Sequence, residues 1–192
     1  MKKWAIIPLL FAAIGYQSCL EETPIAEQQQ YLQRGDSIAT ATFDTLRNSL
    51  LQAMETKGIA GAVRFCNVQA LPITSSLAKD GITIQRVAER FRNPANALDS
   101  ADSKQWQLFA QLKARGDSLT SVVQETETAF VFYKPIIMNP LCGNCHGNKA
   151  MGMQPEVLAV IDSLYPKDKA LGFVKGDIRG LWKITFPKPF TD

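Results

Sequence analysis

The sequence predicts an α+β fold in which helices flank an antiparallel sheet. Apolar residues recur at helical spacing through residues 31–80, which indicates amphipathic helices at the start of the domain. Two β-rich segments lie on either side of residues 125–128, close enough in sequence to pair as a hairpin. Helical segments are segregated from these hairpin-connected strands, and that order favours an antiparallel sheet.

The first 18 residues have the features of a signal peptide. Lys2 and Lys3 form a short basic start, and residues 4–14 form an apolar run that is too short to cross a bilayer. Cys19 follows the small residue Ser18 in a loose lipobox, so we expect it to be the lipidated first residue of an exported protein. An ordinary signal peptide with a chance cysteine is the alternative interpretation.

Residues 19–30 are polar and rich in Glu and Gln, and we interpret them as a tether between a membrane and a domain formed by residues 31–192. Without the signal peptide the formal charge falls from +3 to about +1, and no basic stripe is visible, so nucleic acid is not an expected partner. No later apolar run is long enough to cross a membrane. The protein is therefore expected on the periplasmic side of a bacterial membrane, held there by its lipid.

Two helices are predicted at the start of the domain. The first begins near Tyr31 and ends at Gly58, and the second continues to Gly81, with Pro72 kinking or restarting it. The first apolar stripe comprises Ala39, Phe43, Leu46, Leu50 and Met54. The second comprises Ile59, Val63, Cys66, Ala70, Ile73 and Leu77. The helix over residues 31–54 is either a contact in a homodimer or part of the core.

Local signals predict the remaining elements. Residues 82–88 have the composition of a strand, and a loop over residues 90–96 follows. Asp99 or Ser100 can cap a helix that Gly116 ends. The hairpin strands are predicted at residues 119–124 and 129–137, a further helix at 155–165 and a last strand at 181–186.

The single histidine of the chain belongs to a C-x-x-C-H motif at residues 142–146. This motif is the attachment signature of a c-type haem. Cys142 and Cys145 lie one helical turn apart, so each can form a thioether with a vinyl group on the same edge of a porphyrin. His146 can then bind the iron from one face of the ring. The motif therefore predicts one covalently attached haem c.

Two other interpretations of the motif are weaker. A structural zinc site needs four ligands, but adjacent Cys145 and His146 rarely reach one tetrahedral ion, and the sequence has no second ligand pair. A thioredoxin-like redox pair would follow a strand, as the β-rich residues 130–137 suggest. That fold builds most of its sheet after its motif, however, whereas His146 lies in the last quarter of this chain.

The sixth iron ligand must be a different residue type, because no second histidine is present. Methionine is the usual partner of histidine in electron-transfer cytochromes c. The candidates are Cys66, Met54, Met138, Met151 and Met153, and among the methionines Met138 and Met153 are favoured. From the residues alone, Cys66 is equally well explained as a small buried hydrophobe on its helix stripe.

Four segments form a combined pattern: residues 51–73 around Cys66, residues 92–99, the haem motif, and residues 176–180. Together they resemble a bacterial family of exported c-type haem proteins with a PAS-like domain, first described structurally in a cyanobacterium and otherwise catalogued as a domain of unknown function. The likeness extends from about residue 38 to residue 187, which is nearly the whole mature chain.

The resemblance implies a PAS-like antiparallel sheet flanked by helices. It also implies a haem held between His146 and a cysteine thiolate, and the corresponding residue here is Cys66. The functions it implies are redox or small-gas sensing. This chain departs from the resemblance in its lipidation signal and has no fused kinase or cyclase, so signalling through an attached output domain is not expected.

Arginines are natural partners for haem propionates, because a guanidinium binds a carboxylate through two charge-assisted hydrogen bonds. Arg90, Arg92 and Arg179 are the candidates. Arg92 stands out because Asn93 and Pro94 fix the loop beside it. Each of the three is also explained by a solvated position on the surface.

The leading hypothesis is a membrane-tethered, single-haem sensor of redox state or small gases that is not an enzyme and acts on an unidentified redox or signalling protein. Release of Cys66 on reduction would open a position for carbon monoxide or nitric oxide and move its helix. The second hypothesis is a periplasmic electron carrier with His/Met ligation in both oxidation states. Haem enzymology is disfavoured, because neither a second histidine nor an acid–base pair lies near the motif.

Overall fold

The computed structural model describes residues 24–188, so the signal peptide and Cys19 lie outside the described residues. The helices are α1 (Pro24–Ser75), α2 (Ser100–Arg115), α3 (Pro140–His146) and α4 (Pro155–Leu164). The strands are β1 (Thr83–Val87), β2 (Val122–Glu125), β3 (Ala129–Ile137) and β4 (Ile178–Pro187). Short 3-10 turns occupy Pro94–Asn96 and Lys149–Met151. The predicted α+β fold with a long N-terminal helix is confirmed.

Helix α1 consists of two helical halves that meet at Gly58, where the sequence predicts the first helix to end. Gly58 has φ 69° and ψ 176°, a backbone conformation that only glycine adopts readily. Pro72 lies within the second half without ending it, and the helix stops one turn later at Ser75. The break changes the direction of the chain between the half that packs on the sheet and the half that carries Cys66.

Helix α1 also begins earlier than the apolar pattern predicts. Its first residue is Pro24 rather than Tyr31, so residues 24–30, which we predict to be a tether, form its first two turns. Glu and Gln are good helix formers, and Pro is favoured at a helix start, but neither contributes to an apolar stripe. The Gln28 side chain donates a hydrogen bond to the Val123 carbonyl oxygen (3.1 Å) and so joins this early segment to β2.

The four strands form one antiparallel sheet with the order β1-β4-β3-β2. Strands β2 and β3 form the predicted hairpin. Strand β4 begins at Ile178, three residues before the predicted start at Leu181. The sequence pattern misses these first residues because Gly180 interrupts the run of apolar side chains. A Cβ at Gly180 would lie 2.7 Å from the Val87 carbonyl oxygen, so glycine is what permits β4 to approach β1 this closely.

The sheet is covered on both faces. The α1 face carries a cluster of buried residues comprising Ala39, Ile82, Ile84, Phe130, Phe132, Trp182, Ile184 and Phe186. The α2 face carries a second cluster comprising Val87, Phe109, Ala129, Val131, Tyr133, Ile178 and Leu181. Gly35 brings α1 close to the sheet, since a Cβ there would lie 2.3 Å from the Phe132 ring. The second half of α1 instead packs on α4 through a separate cluster around Val63 and Ile161.

A buried carboxylate fixes α2 to its face of the sheet. Asp99 caps α2, as predicted, through a reciprocal capping box with Asp102. Asp102 is 1% exposed, and its Oδ1 accepts a hydrogen bond from the Tyr133 hydroxyl (2.8 Å) and pairs with Lys183 Nζ (2.7 Å). Burial and the bond to Asp102 raise the pKa of Tyr133, so the hydroxyl stays protonated as a donor. Asp102 thus joins the first turn of α2 to β3 through Tyr133 and to β4 through Lys183.

Within residues 24–188, no helix combines the length and the apolar character needed to cross a membrane.

Candidate functional site

A cleft opens between α1, α3 and the α1 face of the sheet. Its first lobe has a volume of about 1140 Å³ and its second lobe about 620 Å³, each including its open mouth. Cys142 and His146 line both lobes, and Cys145 lines the first. The apolar wall of the first lobe comprises Phe43, Leu46, Leu50, Met54, Val63 and Leu71. The wall of the first lobe is mostly apolar, as is typical of small-molecule sites.

Helix α3 presents the C-x-x-C-H motif to the cleft. The Asn139 side chain caps the helix by accepting a hydrogen bond from the Cys142 N–H (3.3 Å), and Pro140 occupies the first turn. The helix ends at Gly147, whose N–H donates to the Gly143 carbonyl oxygen (3.0 Å). A Cβ at Gly147 would lie 2.7 Å from that oxygen, so this tight end needs glycine. The capped helix sets both motif cysteines on the cleft wall.

His146 is oriented by a backbone carbonyl. Its Nδ1 lies 2.9 Å from the Ala170 carbonyl oxygen, and because a carbonyl can only accept, Nδ1 must carry the proton. The Nε2 lone pair is then available to a metal, in the arrangement that orients most metal-bound histidines. Nε of Arg179 lies 3.3 Å from the same Nδ1. Because both nitrogens then carry a hydrogen, neither can accept a hydrogen bond from the other. Burial and the cations of Arg179 and Arg92 hold the pKa of His146 well below its usual value, so the imidazole is neutral.

The loop between α4 and β4 holds the histidine from behind. Phe173 N–H donates to the His146 carbonyl oxygen (2.9 Å), and Gly172 N–H donates to the Gly147 carbonyl oxygen (2.8 Å). The Phe173 ring meets the imidazole edge-on at a centroid distance of 6.4 Å. Asp168 shapes the loop by accepting from the Ala170 N–H (2.8 Å). These contacts fix the end of α3 and the carbonyl that orients the imidazole.

Cys66, on the second half of α1, lines the first lobe together with the motif residues. It is half-buried, and no disulfide joins the three described cysteines, Cys66, Cys142 and Cys145. Burial raises the pKa of Cys66, and the cations of Arg86 and Arg92 offset part of that rise. Burial also raises the pKa of Cys145, to about 11. The structure therefore brings the predicted thiol and the predicted imidazole to one cleft.

The methionines separate into two groups. Met54 lines the first lobe. Met138 is 2% exposed in a cluster with Ala170 and Phe173, and Met153 is 5% exposed in the cluster between α1 and α4. Neither Met138 nor Met153 is among the lining residues of either lobe. The two methionines that the sequence favours are thus core residues, and Met54 is the one described methionine side chain in the cleft.

Arg92 lies at the back of the first lobe and joins three segments. One of its terminal nitrogens donates to the Cys145 carbonyl oxygen (2.7 Å) and to Asp168 Oδ2 (3.1 Å). The Arg92 and Asp168 side chains are 12% and 6% exposed, so this is a buried ion pair. Nε of Arg92 is buried with no partner among residues 24–188. A buried donor without an acceptor is costly.

Arg90 and Arg179 have different positions. Arg90 donates to the carbonyl oxygens of Lys169 and Leu171, and its guanidinium lies 4.1 Å from the centre of the Phe173 ring. It lines neither lobe, so the structure does not bring this predicted residue to the cleft. Arg179 lines both lobes, and burial lowers its pKa to about 10.

Sequence reasoning missed Arg86, which lines both lobes. Its Nε donates to Thr74 Oγ1 (3.0 Å) and a terminal nitrogen donates to the Ala70 carbonyl oxygen (3.3 Å), both on α1. The signal was present in the alternation of β1, where residue 86 follows Ile82 and Ile84 on the face that packs under α1. An arginine at a position that alternation assigns to the core is a candidate ligand-binding residue.

Among residues 24–188, no three His, Cys, Asp or Glu side chains are placed to hold a metal ion by themselves. A metal in this cleft would therefore need ligands from a cofactor as well as from the protein.

The model of the Tll0287-like family matches residues 17–187 of this sequence. The chain belongs to this family. None of the curated proteins matches it. The crystal structure of the cyanobacterial heme-protein Tll0287 is similar to this chain with a TM-score of 0.63 and 22% identity, covering 85% of this chain and 98% of that chain. The similarity confirms the fold and the family resemblance that the four sequence segments indicate.

The Arg92–Asp168 pair gives a stability prediction. Asp168→Asn removes one charge of a buried pair and leaves the other uncompensated, so we expect the free energy of unfolding to fall by about 3 kcal/mol. Urea denaturation followed by circular dichroism measures this change. Asp117→Asn is the matched control, because Asp117 pairs with Arg115 on the surface, where about 0–1 kcal/mol is expected. Equal effects of the two substitutions would show that the buried pair does not stabilise the loop behind His146.

Proposed function

We propose that this chain binds one c-type haem, attached through Cys142 and Cys145, with His146 as an iron ligand. The observation that carries the proposal is that all three motif side chains line one large apolar cleft and that Nε2 of His146 is left free for a metal. The structure of a cyanobacterial heme-protein of the same family and fold supports it. A porphyrin would also supply the iron ligands that the protein lacks.

The residues present fit a haem. The aliphatic and aromatic wall from α1 suits a flat apolar ring, and the four lining arginines, Arg47, Arg86, Arg92 and Arg179, suit the negative propionates. When bound, haem supplies an iron that changes oxidation state and, with a free coordination position, binds small gases. The protein contributes a fixed imidazole, a closed apolar wall and a positive potential.

Cys66 is the proposed second axial ligand. Cys66, on α1, lines the same lobe as His146, on α3, so a group that fills the lobe would meet both side chains. A thiolate donates charge and favours ferric iron, whereas a thioether favours ferrous iron. Cations of Arg86 and Arg92 near Cys66 favour the thiolate and work against the effect of burial.

This ligand pair leads us to propose a sensor of redox state or small gases rather than an enzyme. Among the described residues that line the two lobes none is Asp or Glu, so the cleft offers no carboxylate for acid–base catalysis beside the iron. Release of Cys66 would remove one constraint on the second half of α1, which turns away from the first half at Gly58 and packs on α4. A local ligand change would then alter a long helix that an unidentified redox or signalling protein can recognise.

The ligand assignment predicts different spectra for two matched variants. Cys66→Ala should change the low-spin electron paramagnetic resonance signal and the visible spectrum of the oxidised protein, because a sulfur ligand is lost. Met54→Leu, which removes the methionine sulfur from the cleft, should leave both unchanged. Identical low-spin signals in Cys66→Ala and the parent protein would show that the thiol is not a ligand.

A periplasmic electron carrier with His/Met ligation is the second candidate function, and the position of Met54 in the first lobe favours it. It requires the same ligands in both oxidation states, and its ferric form would show a far-red absorption band that disappears in Met54→Leu. The two variants therefore separate the two functions.

Gas binding provides a test of the sensor itself. On reduction under carbon monoxide, we expect the absorption spectrum to change to that of a gas-bound haem, because Cys66 leaves the iron. Met54→Leu should respond as the parent protein does. A reduced spectrum that stays the same under excess gas would remove gas sensing and leave redox sensing or electron transfer.

We also propose that the protein is exported and anchored to a membrane through a lipid on Cys19. This proposal is supported by the short apolar run and the position of Cys19 behind it. Cys19→Ser should move the protein from the membrane fraction to the soluble periplasmic fraction, as immunoblotting of separated fractions would show. Equal membrane association of both forms would contradict lipid anchoring.

A further inference from the structure

The second lobe of the cleft has an excess of positive charge. Arg86 and Arg179 both line it, together with the Asn96 amide, and none of its described lining residues is acidic. Like charges facing one small volume are unfavourable unless an anion lies between them.

The arginines in and near the cleft differ in whether a carboxylate neutralises their charge. Arg92 has a carboxylate partner in Asp168, and Arg90 lies outside the cleft on carbonyl oxygens and an aromatic ring. Arg86 and Arg179 have no ion pair within residues 24–188, and the hydrogen bonds of Arg86 go to a hydroxyl and a carbonyl on α1. Those two bonds hold its guanidinium in place at the cleft wall while leaving its charge uncompensated.

The position of the second lobe indicates the source of the anion. Cys142 and His146 line both lobes, so a group bound to the motif can fill the first lobe and extend into the second. A planar carboxylate matches the fork of a guanidinium, and an amide such as Asn96 can donate a further hydrogen bond.

We infer that the second lobe is a carboxylate-binding site in which Arg86, supported by Arg179, binds a propionate of the haem. This inference rests on the proposed haem binding and assigns a different residue as the partner of the propionate. The propionate partner is Arg86, a residue of β1, rather than Arg90 or Arg92 in the loop that follows. Thr74 and Ala70 of α1 position Arg86, so the propionate site is connected to the helix that carries Cys66.

The test compares haem with its dimethyl ester, in which both carboxylates are blocked. The full mature chain with Cys142→Ala and Cys145→Ala cannot form the thioethers, so dissociation constants for either form follow from titrations read by Soret absorbance and by quenching of tryptophan fluorescence, to which Trp182 in the second lobe contributes. We expect haem to bind roughly 10- to 100-fold more tightly than the ester, the range given by a charge-assisted hydrogen-bond pair.

Arg86→Met should reduce this preference for haem by about tenfold and leave the affinity for the ester unchanged. Arg86→Lys, which keeps the charge but not the fork, should retain part of the preference. Arg90→Met is the matched control, because Arg90 lies outside both lobes, and its preference should equal that of the parent.

Thermal unfolding of each haem-free variant identifies those that fold as the parent does. If Arg86→Met folds normally and weakens haem and ester equally, or weakens neither, the assignment of Arg86 is overturned. If Arg86→Met folds poorly, Arg86→Lys provides the test. Loss of affinity for the ester together with loss of affinity for haem in Arg86→Lys would likewise overturn the assignment of Arg86. Failure of haem binding in the parent chain, with its cysteines intact, would instead remove the proposed function.

Discussion

The hydrogen bond between His146 Nδ1 and the Ala170 carbonyl oxygen is the interaction on which the site depends. It fixes the protonated nitrogen and therefore presents Nε2, with its lone pair, to the cleft. The carbonyl is itself held by Asp168, which accepts from the Ala170 N–H and pairs with Arg92. A neutral imidazole, a loop and a buried ion pair thus form one structural unit behind the metal-binding face of the histidine.

Charge and burial act together in this cleft. Four of its lining residues are arginines, and Asp168 is the carboxylate that pairs with one of them, Arg92. Buried guanidiniums without acidic partners are unfavourable in a chain that binds nothing, but they favour an anionic ligand and lower the cost of forming a thiolate at Cys66. The same positive potential that would bind the propionates of a haem would therefore also support sulfur ligation of its iron.

Much of the fold follows from local signals in the sequence. Gly58, Gly116, the Asp99 cap and the hairpin turn are each determined by residues within one turn of the position concerned, so the pattern predicts them correctly. The start of α1 is different, because polar residues extend a helix without an apolar stripe. The sequence pattern misses the early start of β4 because Gly180 interrupts its apolar residues. Glycine is needed at this position because β4 closely approaches another strand.

The site shows the same division between local and long-range information. The C-x-x-C-H motif is local and predicts its own helix and histidine. Which sulfur shares the cleft depends on how α1 packs, which local patterns do not determine, and the fold places the two favoured methionines, Met138 and Met153, in apolar clusters. Arg90 and Arg86 are separated by four positions on the chain, but strand pairing directs only Arg86 into the cleft.

The most direct test is the intact mass of the chain, together with its visible spectrum, after export in a bacterial host that matures c-type cytochromes. The account predicts a coloured protein heavier by one haem, with the extra mass retained after denaturation and lost in a Cys142→Ala, Cys145→Ala variant. A colourless protein with the mass of the polypeptide alone would contradict it.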